Sequence, residues 1–255
     1  MVVPKRRLGV ENTGLDGVSP LQHRLERSAA QRRWNGGFGE VQNGWRDVRV
    51  LPLDDSEAAE KLFAAEGGKI ACVIIEPVPA NNGLLLQRAE FLELLRALCT
   101  RHGALLIFDE IQCGVGRTGT YFAYQLVDPP VMPDVMVTAK PLACGLPLGV
   151  VMCNERAAAS IRPGMHGSTF GGGALACRAA LEFIDIMENG LLEQVGRVGE
   201  YFRAGLRDLQ TKHSFIKEVR GAGLMIGVEL DRPGKNYVMR GIEEGLLFNA
   251  THDTV

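Results

Sequence analysis

The sequence has no apolar run near the ~18–20 residues of a membrane-spanning helix, so none is expected. It has no C-x-x-C pair among Cys72, Cys99, Cys113, Cys144, Cys153 and Cys177. That argues against a zinc site or a disulfide frame, and for reduced thiols in mostly apolar surroundings. Charge excess is missing too. The 28 basic and 30 acidic residues leave a net of -2, which speaks for neither a nucleic-acid surface nor an acidic tail. There is no internal repeat, and His23, His102, His166, His213 and His252 lack ligand-like spacing, so no metal site is expected. The opening MVVPKRRLGVENTG carries charge with no apolar stretch behind it. It reads as no secretory leader, and the chain as cytoplasmic.

Glycine is what the chain has in plenty, 31 of 255 residues, well above the usual ~7%. Without a G-X-Y period this means many tight turns or close approaches. Residues 1–49 differ from the rest. They hold nine basic residues against five acidic ones, a net of +4 that leaves the remainder at -6, and both tryptophans, Trp34 and Trp45. No helical or strand period runs through them, so they read as loop or disorder.

From residue 50 the pattern is regular. LPLDDSEAAEKLFAAEGG predicts a short strand, a cap at Asp54 or Asp55, and a helix stopped by Gly67-Gly68. IACVIIEP is an apolar run ended by Pro77, the signature of a buried parallel strand. RAEFLELLRALCTRHG sets Phe91, Leu94, Leu95 and Leu98 on one helical face, with Gly103 as the stop. ALLIFDE and PDVMVTA read as further buried strands and LGVVMC as another. Strand-helix-strand spacing predicts right-handed crossovers, hence an α/β fold with a mostly parallel central sheet flanked by helices. Helices are expected near 173–188, 191–212 and 236–244, two short strands in IKEVRGAGLMIGVEL, and a last strand at LLFN. These later elements suggest part of a small α+β C-terminal domain. The expected division is an atypical segment 1–49, a partial large domain 50–200 and a truncated small domain 201–255.

Ligands of open α/β sheets bind at the carboxyl ends of the strands. Glu76 follows IACVII, Asp109 and Glu110 follow ALLIF, and Lys140 follows PDVMVTA. Polar residues often cap strands, so each alone says little. A lysine between Ala139 and Pro141 in apolar surroundings must be partnered, neutral or chemically used. Pyridoxal phosphate chemistry needs such a pair: a lysine amine for the cofactor aldehyde, and a carboxylate that keeps the pyridine nitrogen protonated. HGSTFGGG offers hydroxyls and backbone N–H groups at a helix start, which suits a phosphate but is also ordinary capping.

In order, FDEIQCGVGRTG, PDVMVTAKPLACGLPLGVVM, HGSTFGGGALACRAALEFIDIM and KEVRGAGLMIGVEL resemble the class III pyridoxal-phosphate aminotransferases of fold type I, in the wording of the acetylornithine/ornithine branch. The resemblance covers roughly residues 50–255. It implies Lys140 as the Schiff-base lysine and Asp109 on the pyridinium nitrogen. Ile111 would pack on the ring and Gln112 would bond the ring hydroxyl. Ser168 and Thr169 would bind phosphate in the neighbouring subunit's site, which implies a homodimer with shared sites. Glu76 would lie on the substrate side. The reaction implied is amino transfer from acetylornithine or a related ω-amino compound to 2-oxoglutarate, in arginine or amino-acid metabolism, with no nucleic-acid or membrane partner.

Two departures keep other readings open. Branch members run on from the EP motif as Gln-Gly-Glu, whose Glu gates a substrate-binding Arg. Here EPVPANNG puts Asn81 at that position, locally more like the glutamate-1-semialdehyde aminomutases. The phosphate loop, ring-stacking aromatic and carboxylate-binding Arg that precede the matching region in the family have no counterpart in 1–49. The chain therefore reads as a fragment, either active or an inactive product lacking part of the cofactor site. An out-of-frame origin of 1–49, resuming near VRVLPLDDSEA, would account for that segment's composition.

Overall fold

The computed structural model describes residues 2–4, 48–251 and 254–255. Apart from Val2–Pro4 and its last two residues, the atypical segment 1–49 lies outside them, as does His252. Val2–Pro4 is a strand, β1, where the composition predicts loop.

Five strands form the main sheet: β1, β2 (Ile70–Ile75), β3 (Leu105–Asp109), β4 (Val135–Thr138) and β5 (Val150–Cys153), adjacent in that order. The middle three are parallel, while β1 and β5 run antiparallel at the edges. The sheet is thus mostly parallel, as the apolar runs predict.

One face packs on two helices, α1 (Ser56–Glu66) and α2 (Ala89–His102). Helix α1 begins where Asp55 accepts the Ala58 N–H at 2.9 Å, satisfying one orphan donor of the first turn. Asp54 instead takes the Arg88 N–H at 3.2 Å. The strand expected just before α1 does not form: the residues ahead of the cap turn, and Pro52 has no N–H to give a ladder. Helix α2 ends at Gly103 in the left-handed region (φ 68°), as its sequence predicts. It buries Phe91, Leu92, Leu95, Leu98 and Cys99 against Val73, Leu106, Phe108 and Met136. With Phe63 of α1 these make the largest core, each large side chain contributing about 1.5–3 kcal/mol of transfer free energy.

The crossover from β3 to β4 has no α-helix among residues 110–134, only a short helical turn at Ala123–Leu126. Three prolines and three glycines in that stretch make a helix too costly. After β5 come a single turn, α3 (Glu155–Ala158), then α4 (Ala174–Ile186) and α5 (Leu192–Lys212). Gly190 (φ 105°) bends the chain between the last two. A hairpin follows, β6 (Ile216–Ala222) with β7 (Met225–Leu230), then α6 (Lys235–Glu243). The strand expected at LLFN does not form. Those residues take no place on an edge of either sheet, and Leu247 is 89% exposed.

Cys72, Cys99 and Cys113 are buried, whereas Cys144 and Cys153 are exposed. The expectation of mostly apolar surroundings therefore holds for half of the six. Burial pushes the Cys72 and Cys99 thiols up to about 12, so they are protonated at neutral pH.

Candidate active site

Register decides which side chains meet at the carboxyl end of the sheet. Ile75 pairs with Phe108, and Asp109 pairs with Val137. Glu76, one residue past Ile75, therefore stands beside Asp109, and Lys140 begins three residues past the partner of Asp109. Alternation then sorts the faces. Val73, Ile75, Leu106, Phe108 and Met136 point into the helix-covered core. Glu76 and Asp109 point to the other face, whose residues Ile74, Leu105, Ile107, Val135 and Val137 are only half-buried. Two carboxylates of neighbouring strands share the uncrowded side of the sheet at the end where α/β sheets bind ligands.

Lys140 opens a short helical turn, Lys140–Ala143, and is exposed. Its φ is +41°, a region that an unbranched L residue enters only when its surroundings force it, at a cost of about 1–3 kcal/mol. What forces it is the packing just beyond. Leu142 and Ala143 are buried with Val115, Ala180 of α4 and Met187. The turn is thus pinned from beneath by α4, while Lys140 itself is left exposed at the end of the sheet.

The turn after β3 is fixed from both sides. Asp109 Oδ1 accepts the Ile111 N–H at 3.1 Å, and the Glu110 N–H donates to the Val137 carbonyl at 2.9 Å. The Glu110 side chain is fully buried. It accepts the Ala123 N–H at 2.7 Å and the Tyr124 N–H at 2.8 Å, with the Cys113 thiol 3.4 Å away. Burial raises its carboxyl above the usual range, against the pull of those donors. Ile111 and Gln112 are half-buried in the loop that Glu110 closes.

Glu76, Asp109, Ile111, Gln112 and Lys140 are brought to one end of three adjacent strands. Ser168 and Thr169 are not part of that group. They lie exposed on the link before α4, beside Phe170, which is 91% exposed. Helix α4 does start just after Gly173, its N-cap, as HGSTFGGG predicts, but Ser168 caps no helix. Its hydroxyl accepts the Gly171 N–H at 2.9 Å in a local turn. Sequence reading noted Glu110 but gave it no work, and it passed over Arg220. A charge beside Gly221 in strand β6, with Glu218 two residues before it, was the available signal.

The residues present suit pyridoxal phosphate. An amine on a strained, exposed turn follows the strand next to the one that ends in an in-register carboxylate, and these two groups are the donor set that cofactor requires.

An α/β sheet with these groups at its strand ends defines a class of ligand-binding or catalytic domain, and the wider comparisons narrow it. Residues 47–255 match the model of the aminotransferase class-III family, and the chain belongs to that family. It is 40% identical over 224 residues to the acetylornithine aminotransferase of Methanocaldococcus jannaschii, covering 88% of this chain and 54% of that one. Its fold matches the crystal structure of acetylornithine aminotransferase from Elizabethkingia anophelis with a TM-score of 0.74 at 34% identity, over 80% of this chain and 52% of the other. It also matches an ornithine aminotransferase from Toxoplasma gondii, with partial PLP occupancy at its active site, with a TM-score of 0.75 at 33% identity, over 84% and 51%. The chain spans about half the length of these relatives. No helix among the described residues is long and apolar enough to cross a membrane.

Proposed function

We propose that the chain is the lysine-bearing part of a pyridoxal-phosphate-dependent aminotransferase that moves an amino group from acetylornithine, or a related ω-amino compound, to 2-oxoglutarate. The observation that carries this reading is the register that sets Asp109 and Glu76 side by side on one face, next to the strained Lys140 turn. The names of its relatives support it at the level of the reaction.

When bound, pyridoxal phosphate supplies an electron sink for the electrons left by a proton departing from the substrate carbon. Asp109 would hold the group at its ring nitrogen, accepting that N–H as a carboxylate, and Lys140 Nζ would hold it at its aldehyde and serve as the base that moves the substrate proton. Ile111 would pack against the ring, and Gln112 would donate to its hydroxyl oxygen. Ser168 and Thr169, exposed on this chain, would bond the phosphate of a second copy's site, making the working unit a homodimer.

A second reading keeps the cofactor and changes the reaction. Asn81 stands where a gating carboxylate would favour two-substrate exchange, so an aminomutase acting within one molecule is the alternative. Dependence on an added keto acid separates the two.

The test is to mix the chain with pyridoxal phosphate, reduce with borohydride and map the modified peptide by mass. The adduct is expected on the peptide holding Lys140 and absent from Lys140→Ala, with Asp109→Asn weakening cofactor binding. An adduct that survives Lys140→Ala on the same peptide, or modification only elsewhere, overturns the reading.

A further inference from the structure

The loop that leaves β2 after Glu76 is under strain, and its restraint comes from far away in sequence. Gly83 lies at φ 87° and is buried, and Leu84 follows at φ 58°. Leucine in the left-handed region costs free energy unless its neighbours over-determine it. Within the loop, the Leu84 N–H reaches the Pro79 carbonyl at 3.2 Å, which cannot alone hold two consecutive left-handed residues.

The rest of the restraint is the β6–β7 hairpin. Arg220, with only 10% of its side chain exposed, donates from Nε to the Gly83 carbonyl at 2.6 Å. Glu218 and Glu229 flank its Nη1 and neutralise it where it is buried. Gly227, opposite Arg220 in the ladder, has no side chain, and Leu84 packs into that space: a Cβ there would lie 3.1 Å from the Leu84 Cβ. The hairpin tip is seated just as closely on the loop after Gln112. The Leu224 N–H donates to the Arg117 carbonyl at 3.0 Å, and a Cβ on Gly223 would overlap the backbone of Thr118. One hairpin therefore touches both loops that leave the strand ends carrying Glu76 and Asp109.

We infer that Arg220 is a positioning residue that holds the strained Pro77–Leu84 loop, and with it Asn81, in the shape that discriminates the amino donor. It acts through the Gly83 carbonyl and touches no reacting atom. This inference rests on the aminotransferase reading for its functional half, while its structural half stands alone. Lysine cannot replace it, because a single ammonium lacks the fork that reaches a carbonyl and two carboxylates at once.

The test compares wild type, Arg220→Met, Arg220→Lys and Glu229→Gln. Hydrogen exchange is followed peptide by peptide, and amino-donor KM and kcat are measured with pyridoxal phosphate and 2-oxoglutarate present. Arg220→Met is expected to speed exchange at least tenfold across 77–88 while β2 and β3 keep their rates. It should raise the amino-donor KM about tenfold and leave kcat and the KM for 2-oxoglutarate within twofold. Arg220→Lys should resemble Met, and Glu229→Gln should fall between. Unchanged exchange in 77–88 overturns the inference, as does a uniform rise over the whole chain in all three variants, which would mark a residue needed only for folding. A fall in kcat with KM unmoved overturns the discriminating role. Failure of wild type to form the Lys140 adduct counts against the aminotransferase reading, and the exchange pattern still decides the brace.

Discussion

Asp134→Ala should cost more stability than any single change among Glu76, Asp109 and Lys140, although Asp134 lies at the opposite end of the sheet. Its residue is 3% exposed. Oδ2 accepts the Leu106 N–H and the Arg96 guanidinium, both at 2.8 Å, and Oδ1 accepts from the Asn154 amide at 2.9 Å. One carboxylate thereby ties β3, α2 and the end of β5 to the start of β4. Removing it leaves the buried Leu106 N–H without an acceptor, at about 1–3 kcal/mol. It also removes the partner of Arg96, whose side chain is 23% exposed and so recovers some hydration. The two effects together give about 3–5 kcal/mol, the range for breaking one side of a buried ion pair. Asp134→Asn keeps one acceptor for Leu106 and should cost about half as much. Urea unfolding followed by circular dichroism measures both. A loss under about 1 kcal/mol for Asp134→Ala, with the slope m unchanged, would refute the claim that this carboxylate is what locks the strands. The stake is functional: a one-residue slip between β3 and β4 would turn Asp109 to the helix-covered face.

The same carboxyl sets an acid limit. Burial alone would raise it, but the Leu106 N–H, Asn154 and Arg96 outweigh burial and hold it below the ordinary 3.8, so its stabilisation is present above that value and is lost as pH falls through the lower folded value. In Asp134→Asn, that part of the acid-unfolding curve should be missing. Gly223→Ala, at φ 52° with Thr118 backbone in the way, should destabilise by about 3 kcal/mol or more, read as a lowered thermal midpoint. Phe63→Ala empties a fully buried site of the main core and should cost about 3–5 kcal/mol by urea titration.

The parts of this fold that could be read from the sequence are those fixed by local rules. Apolar runs ended by Pro77 or by a charge gave β2, β3 and β4. The Phe91–Leu98 stripe with Gly103 gave α2, and Asp55 gave the start of α1. Tertiary pairing decided the rest. LLFN has strand composition but no edge to join, and Val2–Pro4 has a partner that nothing in its own pattern announces. The strand-end residues Glu76, Asp109 and Lys140 were legible because a parallel sheet delivers strand ends to one side. Their sharing of a face was not, since it depends on the register of Ile75 with Phe108 and of Asp109 with Val137. For Arg220 the sequence offers the charge in β6 but not its task, because its partner is a carbonyl 137 residues away, and carbonyls carry no sequence signal.

The two faces of the sheet carry unequal burdens in this chain. Toward α1 and α2, Leu106 and Phe108 are wholly buried; toward the other side, the neighbouring Leu105 and Ile107 are half-buried and Val151 is 53% exposed. Apolar strand residues left in water forfeit about 25 cal/mol for each Å² that stays uncovered. The face that forfeits it is the one bearing Glu76 and Asp109. Whatever covers it in the working protein therefore does two things at once, supplying the missing burial and lowering the dielectric around Asp109, the carboxylate proposed to hold a ring proton. It follows that cofactor affinity and thermal stability should rise together when that face is covered. Measured across variants that place a charge at Val151, the two quantities should fall together, and a fall in stability with cofactor affinity untouched would break the link.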